Sequence, residues 1–185
     1  STIDHKVTDN FSFRFTPSLG WQQTDNHSED STQTYLLNGN LLNSNTTIAS
    51  SASDAVNAAS TLLLRKKFAK KGRTISSTIT NSYNESNAKG TQFTDQFIYG
   101  TGGVLLKDSI LDQQNIRKGN TLSYSANVVY TEPLGKKSLL EFNAYLSQSI
   151  GKTSRKVYDK NADTDAYDQL NKKQTNEFNS EYTYS

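Results

Sequence analysis

The sequence predicts an all-β fold, an antiparallel up-and-down meander that forms an arc of a transmembrane β-barrel. Three observations lead there. Several segments alternate apolar and polar residues with period two, short turns containing Gly or Pro join them, and no apolar run reaches the ~18 residues that a spanning helix requires. The clearest segment is "FSFRFTPSLGW", residues 11–21. Phe11, Phe13, Phe15, Pro17, Leu19 and Trp21 share one side of an extended chain, while Ser12, Arg14, Thr16, Ser18, Gly20 and Gln22 share the other.

Four further segments repeat the pattern. In "TISSTITNSY" the apolar set is Ile75, Ile79 and Tyr83; in "LSYSANVVY" it is Leu122, Tyr124, Ala126, Val128 and Tyr130. "LLEFNAYLSQS" places Leu140, Phe142, Ala144 and Leu146 opposite Glu141, Asn143, Tyr145 and Ser147. "FNSEYTY" places Phe178, Tyr182 and Tyr184 opposite Asn179, Glu181 and Thr183. Residues 53–68 read two ways: Val56, Ala59 and Leu63 suit a helix capped by Asp54, whereas Val56, Ala58, Leu62, Leu64 and Phe68 suit a strand. Strand is favoured, because the Leu-rich run leads directly into a short turn.

Two kinds of connection are expected. "FAKKGRT" (68–74) and "TEPLGKKS" (131–138) read as tight turns, with Lys70, Lys71, Gly72, Glu132, Pro133 and Gly135 at their centres. "NHSEDSTQT", "NESNAKGTQ", "GTGGVLLKDS" and "DKNADTDAYDQ" read instead as long polar excursions at the other end of the meander. About six to eight strands result, fewer than or equal to the smallest closed barrel. Together with the missing start signals, this makes residues 1–185 a single segment of a larger barrel.

Composition narrows the function. The chain has 185 residues, a net charge of +2 and no cysteine, so a polyanion-binding surface, a disulfide framework, a thiolate zinc site and a cysteine nucleophile are not expected. Mean hydropathy is −0.73, yet aromatics make up 10% of residues, more than disorder favours. The polar sides of the strands carry mainly Ser, Thr, Asn and Gln, with most charges in the connections. A soluble sandwich covers its outer faces with Lys, Glu, Asp and Arg as well. A membrane barrel instead points apolar residues at lipid and neutral polar ones at its lumen, with aromatics at both interfaces. The expected lipid-facing set is Phe11, Phe13, Phe15, Leu19, Trp21, Leu122, Tyr124, Val128, Tyr130, Leu140, Phe142 and Leu146. Lys66, on the apolar register, lies near the turn at Phe68, where it can snorkel.

The stretches "LLLRKKFAKKGRTISSTITNSYN" and "LSYSANVVYTEPLGKKSLLEFNAYLSQS" resemble the barrel domain of Gram-negative outer-membrane proteins similar to TonB-dependent receptors. The resemblance implies that Lys70 to Arg73 and Glu132 to Lys137 are periplasmic turns and that the long excursions lie outside the cell. It further implies partners: outer-membrane lipid, the remainder of the barrel, a plug domain with an energising periplasmic protein, and an unknown ligand, but no nucleic acid. No plug or TonB-box stretch is recognisable in the chain.

Candidate chemical sites are sparse. Asp159, Asn161, Asp163 and Asp165 alternate as in a calcium loop, but Thr164 stands where such a loop needs Gly and Leu170 where it needs Glu. "GTGG" at 100–103 lacks the spacing of a phosphate cradle, and His5 and His27 lack partners for a metal or triad. The basic group Arg65, Lys66, Lys67, Lys70, Lys71 and Arg73 reads as a solvated turn rather than a phosphate patch. Glu132 and Glu141 make no convincing acid/base pair. The expectation is a non-catalytic chain without cofactor that supports ligand binding or transport across the outer membrane. The alternative is a soluble extracellular β-rich binding or adhesion module, with Tyr99, Tyr158 and Tyr167 as contact residues.

Overall fold

A computed structural model describes residues 1–135 and 137–184. Eight antiparallel strands form one sheet: β1 (Ile3–Thr8), β2 (Phe11–Tyr35), β3 (Leu41–Lys67), β4 (Thr74–Tyr99), β5 (Leu105–Pro133), β6 (Leu139–Asp159), β7 (Gln169–Leu170) and β8 (Asn176–Tyr184). They pair in the order β1-β2-β3-β4-β5-β6, and both β7 and β8 pair with β6. Among the described residues β1 does not pair with β8, so the sheet is open. The all-β, up-and-down antiparallel meander expected from the alternation is therefore present, and residues 53–67 are strand rather than helix.

The central strands are long: β3 has 27 residues and β5 has 29, against the ~9–11 needed to cross a bilayer. This corrects the reading of the polar excursions. "NHSEDSTQT" lies in β2 and "NESNAKGTQ" in β4, and "GTGGVLLKDS" supplies only a turn before β5 begins at Leu105. Their Ser, Thr and Gln residues are polar on both faces, which removes the alternation without weakening the ladder. Register is maintained throughout, from Phe11↔Lys66 to Thr34↔Asn43 between β2 and β3 and from Asn43↔Ile98 to Lys67↔Thr74 between β3 and β4.

Turns at one end join β3 to β4, where Phe68 N–H donates to Arg73 O at 3.1 Å and Gly72 adopts φ 84°. Gly fits there because a left-handed backbone costs other residues roughly 1–2 kcal/mol. Glu132 and Pro133, expected within the next turn, instead close β5 opposite Leu140 and Leu139. Proline is tolerated at a strand end, where no ladder donor is lost. At the opposite end the turns close tightly around Gly39 and Gly103, both with positive φ, and Asn40 Nδ2 donates to Thr101 O at 3.0 Å, linking two tips. Among the described residues, only 160–168 form a longer loop there.

The last strand turns its aromatic residues to the other face. Leu170 pairs with Tyr158 and Asn176 with Arg155, so residues 171–175 stand opposite only Lys156 and Val157. A hydrogen-bonded turn holds this odd excess: Asn171 N–H donates to Val157 O, and Val157 N–H donates to Thr175 Oγ1 at 3.1 Å. An odd excess exchanges the two faces. Phe178, Tyr182 and Tyr184 consequently align with Thr153, Ser149 and Ser147, on the side opposite Leu146 and Ile150. In a chain without native cysteine, Ser149→Cys with Tyr182→Cys is expected to form an oxidative cross-link. Ser149→Cys with Thr183→Cys is expected to fail, because those Cβ atoms point to opposite faces.

Candidate lipid-facing surface

Directly paired residues share a face, so register converts the strand patterns into a surface. One row runs Phe13, Leu64, Ser77, Val128, Ala144; the next on the same face runs Phe15, Leu62, Ile79, Ala126, Leu146. Every residue named above as lipid-facing lies on this one face, Leu140 through its pairing with Glu132 and Trp21 through Val56. Among the described residues nothing covers it. Leu19 is 79% exposed, Trp21 67% and Phe142 58%, while Val157 is the one buried hydrophobic among the described residues. Phe13, Leu19, Val128 and Phe142 are spread over three strands and three rows rather than gathered in a core.

The apolar field has edges. Near the turns, Phe68 packs edge-on against Tyr130 at 6.4 Å, Tyr130 lies 6.4 Å from Phe142, and Lys66 Nζ sits 5.8 Å over the Phe68 ring. At the far edge stand Trp21, Tyr83 and Tyr124. Phe11 to Trp21 spans about 34 Å along the strand, or about 26 Å of height at a tilt near 40°.

Beyond that edge the first charged residue on each successive strand of this face is Asp25, Asp54, Glu85, Lys118, Lys152 and Glu181. Measured along the pairing, this border falls level with residues 25, 23, 21, 23, 21 and 19 of β2 on successive strands, a net shift toward the turns with one step back at Lys118. A horizontal plane cutting strands tilted by about 40° and spaced about 4.8 Å shifts by about 4 Å per strand, or about six residues over five neighbours. The size of the observed drift is that of a tilted sheet crossed by a flat interface.

Over the same height the opposite face carries mainly small polar residues on β2 and β4, Ser12, Thr16, Ser18, Thr78, Thr80 and Ser82, and Ser123 bonded to Ser149 at 2.8 Å, together with Leu63, Val129, Tyr145, Tyr182 and Tyr184. Arg14 on this face is paired with Asp4 at 2.6 Å.

A charged cluster closes the turn end. Glu132 accepts from Arg73 Nε at 2.7 Å and Nη2 at 2.9 Å, from Lys70 Nζ at 2.6 Å, and from the Tyr130 hydroxyl at 2.6 Å. Arg73, then Lys70 and Tyr130, hold the Glu132 carboxyl far below the usual carboxylate range. A lowered folded-state pKa means the contribution is complete above the ordinary value of 4.5 and is lost only as pH falls through the folded value. Glu132→Gln is therefore expected to speed hydrogen exchange of the Arg73 amide near neutral pH, whereas acidification of the native protein to about pH 4 leaves that amide protected. The basic group expected at this turn is thus divided: Lys70 and Arg73 bind Glu132, while Arg65 and Lys66 point to opposite faces.

The other candidate residues do not assemble. Asp159 accepts from Gln113 and Asn171, Asn161 Oδ1 accepts from the Asp163 amide, and Asp165, at φ 58°, pairs with Lys160 at 2.9 Å. Among the described residues no cluster of three or more His, Cys, Asp or Glu side chains could hold a metal ion. Tyr167 donates to Asp112 at 2.6 Å, far along the sheet from His5, and His27 Nδ1 lies 2.8 Å from Ser50 Oγ. The residues 100–103 make a hairpin turn, with Gly103 N–H donating to Gly100 O.

Comparison with protein-family models, with curated proteins and with solved structures gives no match. The surface must therefore be interpreted from its own chemistry. Sequence reasoning found its apolar residues but missed the drifting charge border and the Glu132 cluster. The cluster's signal was available as complementary charges in two neighbouring turns; the border required the register.

Proposed function

We propose that this chain is an arc of a transmembrane β-barrel in the outer membrane of a Gram-negative bacterium, part of a protein similar to TonB-dependent receptors. In this reading it supports ligand binding or transport and performs no chemistry of its own. The observation that carries the reading is the uncovered apolar field, about a bilayer core in height, bounded by aromatics and by a charge border whose net drift has the size that strand tilt gives. The two-sided polar extensions of β2 to β5 then stand in water outside the membrane and offer the ligand-contacting surface. The rest of the barrel would pair with the free edges of β1 and β8, which would otherwise remain as unpaired ladder groups. A plug and an energising periplasmic partner follow only from the family resemblance.

A soluble adhesion module would instead need its apolar residues to meet in a core, and the dispersal of Phe13, Leu19, Val128 and Phe142 argues against that. Extraction distinguishes the two. The barrel reading expects the chain in the detergent or vesicle fraction; a cooperative melt of monodisperse chain in plain buffer would overturn it.

A further inference from the structure

Resting on the membrane reading, we infer that the apolar field continues into a binding surface for anionic, phosphate-bearing lipid headgroups, built by Lys89, Lys118, Lys152 and Lys156. These lysines lie on three adjacent strands, β4, β5 and β6, on the same face as Trp21 and Leu122 and just beyond the apolar border. Register sets them in neighbouring rows: Lys89 and Lys156 flank Ile116 on either side, Lys118 pairs with Ser154, and Lys152 pairs with Asn120. All four are exposed, and among the described residues none has a carboxylate oxygen within 4.0 Å.

The four lysines outnumber the three glutamates beside them. Glu85, which accepts from the Tyr83 hydroxyl at 2.7 Å and from Asn87 at 3.0 Å, and Glu177, paired with Ser154, line the same depression as Lys118 and Lys152, and Glu181 lies one row nearer the apolar field. Asp25, Glu29 and Asp54 lie on the same face over β2 and β3. Between Lys118 and Lys152 the surface dips into an open depression of about 330 Å³, lined also by Asn120 and Asn179 as further donors and by the carboxylates of Glu85 and Glu177. A headgroup whose acyl chains lie against Leu122 and Ile150 would bring its phosphate to this height, so apolar and cationic contacts are made by one molecule. A free anion would have only the weaker, exposed half of that site.

The test is flotation of the full chain with phosphatidylcholine vesicles, with and without phosphatidylglycerol. The variants are Lys118→Gln/Lys152→Gln and, matched in charge change, Lys172→Gln/Lys173→Gln in the turn before β8. Binding to neutral vesicles is expected to be equal for all three proteins. Phosphatidylglycerol is expected to strengthen native binding in a salt-sensitive manner, with about fivefold lost per lysine replaced at the patch. The Lys172/Lys173 variant is expected to keep that gain. If Lys118→Gln/Lys152→Gln retains the full gain, or both variants lose it equally, the headgroup site is wrong while the membrane reading stands. If no protein binds neutral vesicles, the membrane reading itself fails and the site falls with it.

Discussion

Leu146→Arg is expected to weaken partition into neutral vesicles by about 2–4 kcal/mol, roughly 30- to 700-fold, whereas Ser147→Arg, one residue along, changes it little. Leu146 occupies the middle of the apolar field in a row with Phe15, Leu62, Ile79 and Ala126, and half of its surface is open. An arginine there must either leave its charge in hydrocarbon or bend to an interface several residues away. Ser147 points to the opposite face, beside Ser125 and Tyr184, where a guanidinium meets water. Comparing neighbours cancels differences in expression, net charge and strand propensity, so the contrast isolates the direction of the side chain. Equal losses at both positions would mean that neither face meets lipid.

Gly90→Ala is expected to destabilise the sheet by about 1–3 kcal/mol, the usual range for forcing volume into a packed site. A Cβ at Gly90 would lie 2.8 Å from the backbone oxygen of Ser50 and 3.1 Å from Ser51 Cβ, and the backbone of β3 is held in place by ladders on both sides. Gly119→Ala serves as the control. Its nearest obstacles are Thr153 Oγ1 at 3.6 Å and Lys152 O at 3.7 Å, ordinary contact distances, so the loss of backbone freedom in the unfolded chain favours the variant slightly. Denaturant midpoints measured in detergent should separate the pair in that order. If Gly90→Ala is neutral, β3 and β4 do not approach as closely as described.

Several features of the architecture were legible because one face of each strand is apolar only over a limited height. Residues 11–21 alternate strictly there, 122–130 and 139–149 do so over most of their length, and the 68–73 turn stands out through Gly72 and its lysines. Above that height both faces are polar, so residues 26–34 and 84–92 carry no periodic signal. What makes them strands is the partner beside them, since Ser, Thr and Gln satisfy a ladder from either face. Residues 53–68 were ambiguous for a related reason: Leu62, Leu63 and Leu64 put an apolar residue on each side and mimic helical spacing. The alternation of "FNSEYTY" was real, but its side depends on how many residues the Asn171 to Thr175 turn inserts against β6. Spacing alone does not contain that number.

The central claim is that the face bearing Trp21 meets lipid, and Trp21 is the chain's one tryptophan. Its fluorescence can therefore be assigned without mutation. In vesicles the account predicts blue-shifted emission, quenched more by lipids brominated near the headgroup than by lipids brominated deep in the acyl chain. Water-like emission, unquenched by any brominated lipid while the chain remains folded, would contradict it.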